Sequence, residues 1–102
     1  MPKIMNIPLV SLNTAALTGN YQPLSEGLPY ACEALRVTNN CANTLLISFD
    51  GVTDHEVVLP NSEILLPGNL VEDNCFKQGT TVFVKGAFVA GRIYLSGYWV
   101  TL

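Results

Sequence analysis

Turn-forming residues interrupt this chain so often that no long helix fits between them. They fall at Gly19-Asn20, Gly27 to Pro29, Asn39-Asn40, Asp50-Gly51, Pro60-Asn61, Pro67-Gly68-Asn69, Gly79, Gly86 and Gly91. Glycine opens positive φ, proline fixes φ and removes a donor, and Asn and Asp tolerate tight bends. Turn signals about 8–12 residues apart read as short antiparallel strands in a sandwich or barrel. The nearest helical candidate, Glu26 to Arg36, carries Pro29 inside it, where the missing N–H and the ring clash break a helix.

Alternation between the turns supports the same reading, because successive strand residues point to opposite faces. Leu35 and Val37 share one face, with Arg36 and Thr38 on the other. Leu45, Ile47 and Phe49 oppose Thr44, Ser48 and Asp50, and Leu46 departs from the pattern. Val57 and Leu59 continue after the Asp-Gly turn, and Ile64 and Leu66 form a strand that Pro67-Gly68 stops. Val82 and Val84 point inward, opposite Thr81, Phe83 and Lys85. The last strand sets Ile93, Leu95, Gly97 and Trp99 against Tyr94, Ser96, Tyr98 and Val100. A strand apolar on both faces must be covered twice. With no helices to supply a second cover, one face is expected to be core and the other interface. Together these segments predict an all-β fold, an antiparallel β-sandwich, with jelly-roll and immunoglobulin-like topologies both open.

Charge is where composition matters. Only 13% of the 102 residues are charged and 49% are hydrophobic, about half the usual charged share of a soluble domain. A globule this small cannot bury all of its apolar area. Extensive exposed apolar surface marks contact with other molecules, so association is expected. Nucleic acid is not the expected partner: the formal charge is −3, and Lys3, Arg36, Lys77, Lys85 and Arg92 form no basic run. A membrane is not expected either. Ile4 to Ser25 lacks charge, but Asn6, Pro8, Asn13, Thr14 and Thr18 break any continuous apolar span, and the same breaks weaken a signal-peptide reading. Residues 1–20 are expected to be an extended arm laid against a neighbour, and residues 21–102 a single sandwich domain.

Chemistry finds little footing. The only histidine, His55, sits between Asp54 and Glu56, and on a strand those carboxylates point away from it, which makes a poor triad. Asp54 with Glu56, and Glu72 with Asp73, read as surface carboxylates rather than an acid–base pair. The run Asp50-Gly51-Val52-Thr53-Asp54 has too few oxygen ligands for calcium and suits an Asp-Gly turn. Cys32, Cys41 and Cys75 are odd in number and lack C-x-x-C spacing. They are expected to be buried thiols of a protein made in a reducing cytosol, with one disulfide as the alternative. No phosphate-binding glycine loop opens a helix. No catalytic, cofactor or metal residues are expected, and the chain is expected not to be an enzyme.

Several runs carry a family resemblance. Arg36-Val37-Thr38-Asn39-Asn40 leads to Leu46-Ile47-Ser48-Phe49-Asp50-Gly51-Val52-Thr53-Asp54-His55 and then Val58-Leu59-Pro60-Asn61-Ser62. Thr81-Val82-Phe83-Val84-Lys85-Gly86 and Gly91-Arg92-Ile93-Tyr94-Leu95-Ser96-Gly97-Tyr98-Trp99 close the chain. This pattern, over residues 31–101, resembles small virion proteins of tailed bacteriophages, from which a longer insertion between Leu66 and Gln78 departs. The resemblance implies a β-sandwich in a virus particle, assembled in the host cytoplasm as a capsid decoration, head–tail connector or tail subunit. Its partners would be phage structural proteins (capsid, portal or tail) and copies of itself, and it implies no catalytic residues. The expected contact residues are Ile4, Ile7, Leu9, Leu12, Phe88, Tyr98, Trp99 and Leu102, with Trp99 shared between core and interface. A different class remains beside it: a small carbohydrate- or receptor-binding sandwich that uses Tyr21, Tyr30, Tyr94 and Tyr98 as stacking platforms, with Asp50 and Asp54 as polar partners.

Overall fold

The computed structural model describes residues 3–25, 27–67 and 76–101. The described residues hold nine strands in chain order: β1 (Lys3–Asn6), β2 (Val10–Asn13), β3 (Gln22–Ser25), β4 (Ala34–Cys41), β5 (Leu45–Ser48), β6 (Glu56–Val58), β7 (Ser62–Pro67), β8 (Val82–Lys85) and β9 (Gly91–Thr101). A single 3-10 turn among the described residues, Thr14–Ala16, is capped by the Asn13 side chain, which accepts the Ala15 amide at 2.9 Å. The Glu26 to Arg36 segment forms no helix among its described residues, as Pro29 requires.

The strands form two sheets. The front sheet runs β1-β9-β4-β7, with β2 continuing the β1 edge along β9, and the back sheet runs β3-β8-β5-β6. Four antiparallel pairs are nested: β5 with β6, β4 with β7, β3 with β8 and β2 with β9. Each successive pair brackets the same turn at residues 50–54. The chain is therefore one long antiparallel ribbon, doubled back at that turn and wrapped into two layers. This nesting is the jelly-roll arrangement, and it decides between the two topologies the sequence left open.

Inward side chains of both sheets meet in one core. Leu35, Val37, Ile93 and Leu95 from the front and Leu45, Ile47, Val58, Val82 and Val84 from the back are all fully buried. Gly97, like Gly86 beside Leu45, is a glycine whose missing side chain the core neighbours need. A Cβ at Gly97 would lie 2.7 Å from Leu35 Cδ2 and 3.3 Å from Ile7 Cδ1. The absent methyl lets Ile7 enter the core.

One sequence expectation changes in register. Val58 faces the core, while Val57 and Leu59 are 47% and 58% exposed. The pairing Leu45↔Val58 sets this phase, because a one-residue slip moves every side chain to the other face. At the β8–β9 tip, Phe88 is 74% exposed, but Val89 packs on the core, and its carbonyl accepts the Thr14 hydroxyl at 2.7 Å.

Residues 3–13, expected as an arm against a neighbour, lie along this chain's own β9. Lys3↔Thr101 to Asn6↔Tyr98 and Val10↔Leu95 to Asn13↔Arg92 are paired. The physical reason is the length of β9: its eleven residues present a row of backbone groups that would otherwise be an open edge.

Candidate interaction surfaces

The outer faces of the two sheets are finished differently. The back sheet is partly covered, over Phe83 and Lys85, by the loop between β5 and β6, which Ser48, Asp50, Asp54 and His55 hold in place. Asp50 Oδ1 accepts the amides of Val52 and Thr53 at 2.8 and 2.7 Å and the Ser48 hydroxyl at 2.8 Å. These donors, the Thr53 amide foremost, hold its carboxyl well below the usual carboxylate range. Ser48 Oγ accepts the Gly51 amide at 2.9 Å. Gly51, at φ +80°, lies on the Phe83 ring, where an added Cβ would be 3.4 Å from Cζ.

The far end of the loop is latched across the sheet. Tyr21 donates its hydroxyl to Asp54 Oδ1. Lys85 Nζ lies 3.3 Å from the same oxygen and 4.7 Å from the Tyr21 ring centroid. The Tyr21 hydrogen bond, then Lys85, lowers the Asp54 pKa. Burial first, then the Asp54 carboxylate, pushes the Tyr21 phenol up to about 12. His55 Nδ1 accepts the Phe49 amide at 3.0 Å, and its ring tilts against Phe49 at 5.5 Å. The acidic and imidazole groups of the loop are thus engaged with their own chain. Among the described residues no three His, Cys, Asp or Glu side chains cluster as a metal site.

The front sheet has no such cover among the described residues. Its outward rows, read from the register, are Tyr98 beside Ala34, Ser96 beside Arg36 beside Leu65, and Tyr94 beside Thr38 beside Glu63. Small residues at Ala34 and Ser96 leave a shallow depression of about 260 Å³, bordered by Asn6, Arg36, Leu65 and Tyr98. A second, of about 370 Å³, lies between Thr38, Asn40, Asn61, Ser62, Glu63 and Tyr94.

The expected contact residues divide. Leu9 (65% exposed), Phe88 and Tyr98 (37%) reach solvent. Ile7 is buried at 5% and donates its amide to the Gly97 carbonyl at 3.0 Å. Leu12 and Trp99 pack against the core, and the Trp99 ring stacks on Tyr30 at 4.4 Å. The area of Ile7, Leu12 and Trp99 is thus used mainly within the chain, because their pairing with β9, or their place on it, turns them inward. Ile4 is paired to Val100 through its backbone. Its side chain and Leu102 lie outside the described residues, as does Cys75.

Sequence reasoning missed Leu65 and Val52, 59% and 81% exposed; the alternation of Ile64 and Leu66 was the signal for Leu65. Of the four stacking candidates, only Tyr94 and Tyr98 share a face, while Tyr21 is tied to Asp54 and Tyr30 to Trp99. Cys32 and Cys41 are both buried in the core. No helix among the described residues is long and apolar enough to cross a membrane.

No protein-family model and no curated protein matches the sequence. Solved structures do match in shape. A subunit from Bacillus endospore appendages, described as a family of disulfide-linked pili, aligns with a TM-score of 0.53 at 13% identity, over 97% of this chain and 89% of that one. PirA aligns at 0.44 and 13% identity over 94% and 92%. The Dit protein of phage SPP1, from a hub adsorption apparatus, aligns at 0.42 and 10% identity over 97% and 49%. The first likeness shows a common β-sandwich fold, and the two lower scores are too low to establish one.

Proposed function

We propose that this chain is a non-enzymatic structural component of a bacteriophage particle that assembles through protein–protein contacts. The observation that carries the reading is the unequal finish of the two sheets. The chain's own loop roofs part of the back sheet and leaves Val57 exposed at its β6 edge, whereas the front sheet exposes Tyr98 and Leu65 with no such loop over it among the described residues, on a protein with few charges. Leu9 at the β1–β2 junction and Phe88 at the β8–β9 tip add further exposed apolar side chains. The sandwich fold, shared with a pilus protein, is compatible with a subunit role, and the phage setting rests on the sequence resemblance over residues 31–101. Mass spectrometry of purified particles tests the reading, with the chain expected at fixed stoichiometry to the major structural proteins. Absence from washed particles would overturn it.

A second reading draws on one feature, the depression beside Tyr94 with its amide, hydroxyl and carboxylate rim. That chemistry suits a sugar ring, with Tyr94 as the platform. Retention on a glycan array, lost on Tyr94→Ala, would favour a carbohydrate-binding module.

A further inference from the structure

We infer that the free edge of β7 pairs with β7 of a second copy of this chain, a contact that deepens the proposed assembly role and rests on it. Sheet edges are normally guarded by proline, bulges, lysine or shortness, and three of the four edges here are. β3 carries Pro23 and a register shift between Pro23 and Ser25. β6 has three residues. The β1–β2 edge is interrupted between Asn6 and Val10, where Pro8 lies. β7 differs: it pairs with β4 through six consecutive residues without a shift. It contains no Lys or Arg, has proline only at its last position, and is the outermost strand among the described residues.

Charge selects the occupant. A two-fold axis normal to the sheet keeps both copies antiparallel and pairs residues of the same face. Centred on Ile64, it sets Ile64 against Ile64 on the core side and Leu65 against Glu63 of the second copy on the outer side. Arg36 neighbours Leu65 in the same row. The sequence across the seam is then Arg36, Leu65 and the other copy's Glu63, occurring twice. Arg36 and that Glu63 lie about 10 Å apart at Cα, two strand spacings, within the summed reach of their side chains. Within the chain Arg36 has no ion pair among the described residues, and Glu63 receives only the Thr38 hydroxyl at 3.4 Å. Centring on Glu63 instead would oppose two like charges.

Light scattering on the purified chain across a concentration series tests this, with mass rising from one chain to two. Leu65→Glu, Arg36→Glu and Glu63→Arg should each weaken dimerisation at least about tenfold, with unchanged circular dichroism. Arg36→Glu combined with Glu63→Arg should restore it, which a loss of fold would not do. A single-chain mass at millimolar concentration, a mass beyond two chains, or no recovery in the double variant would overturn the seam. Such a failure leaves particle membership, read by mass spectrometry, standing; a dimer missing from particles separates the two claims in the other direction.

Discussion

Asn39 shows how one polar residue can fix a corner of an apolar sandwich. It is 1% exposed. Its Nδ2 is shared among the carbonyls of Asn43, Val58 and Leu59 at 2.8 to 3.2 Å, while Oδ1 accepts the Cys41 amide at 3.1 Å. Removing such a hub leaves buried groups unpaired. Asn39→Ala should cost about 2–4 kcal/mol in urea unfolding. Gly97→Ala forces a methyl against Leu35 and should cost about 1–3 kcal/mol by the same measurement. The loop gives a pH signature. Asp50 and Asp54 have folded pKa values below their ordinary 3.8, so their contribution is complete above that value and is lost as pH falls below it. Tyr21 acts in the opposite sense: its phenol is raised, so stability is held below its ordinary 10.0 and lost as pH rises toward about 12. Denaturation profiles should show both limbs. Asp54→Asn should reduce both, because the Tyr21 shift depends in part on that carboxylate. In the sequence, Asn39 was legible only as half of a turn signal, since nothing local reveals which carbonyls will surround it.

At the level of strands, alternation was readable wherever hydrophobic side chains were separated by polar ones, as at Leu35 and Val37 or Val82 and Val84. It failed at Val57-Val58-Leu59, three apolar residues in a row, where the phase came from Leu45 on the neighbouring strand. The N-terminal segment failed for a related reason: its short, broken apolar runs look like an arm until β9 supplies the edge that orders them. Deleting residues 1–12 should therefore remove β1, the buried Ile7 and most of β2. A melting temperature lower by roughly 10 °C or more is expected by calorimetry. An unchanged transition would mean that the segment is not held against β9.

For the molecule as a whole, the nested ribbon ties folding order to topology. β5–β6 closes locally around the Asp50-Gly51 turn, and each outer pair must close a larger loop, ending with β1 and β2 against β9. High contact order of this kind places folding in the millisecond-to-second range. Stopped-flow refolding should show it, slowed further when Gly51 is replaced, since its φ of +80° burdens any other residue in the first turn to form. What the sequence determined by itself was the class: turn spacing excludes helices, alternation builds strands, and scarce charge leaves apolar surface over. These are local or compositional properties. Tertiary structure alone decided which strands pair, that the N-terminal segment belongs to the front sheet, and which face the β5–β6 loop roofs. Those depend on contacts between residues far apart in the chain, where a one-residue shift in register exchanges core for surface.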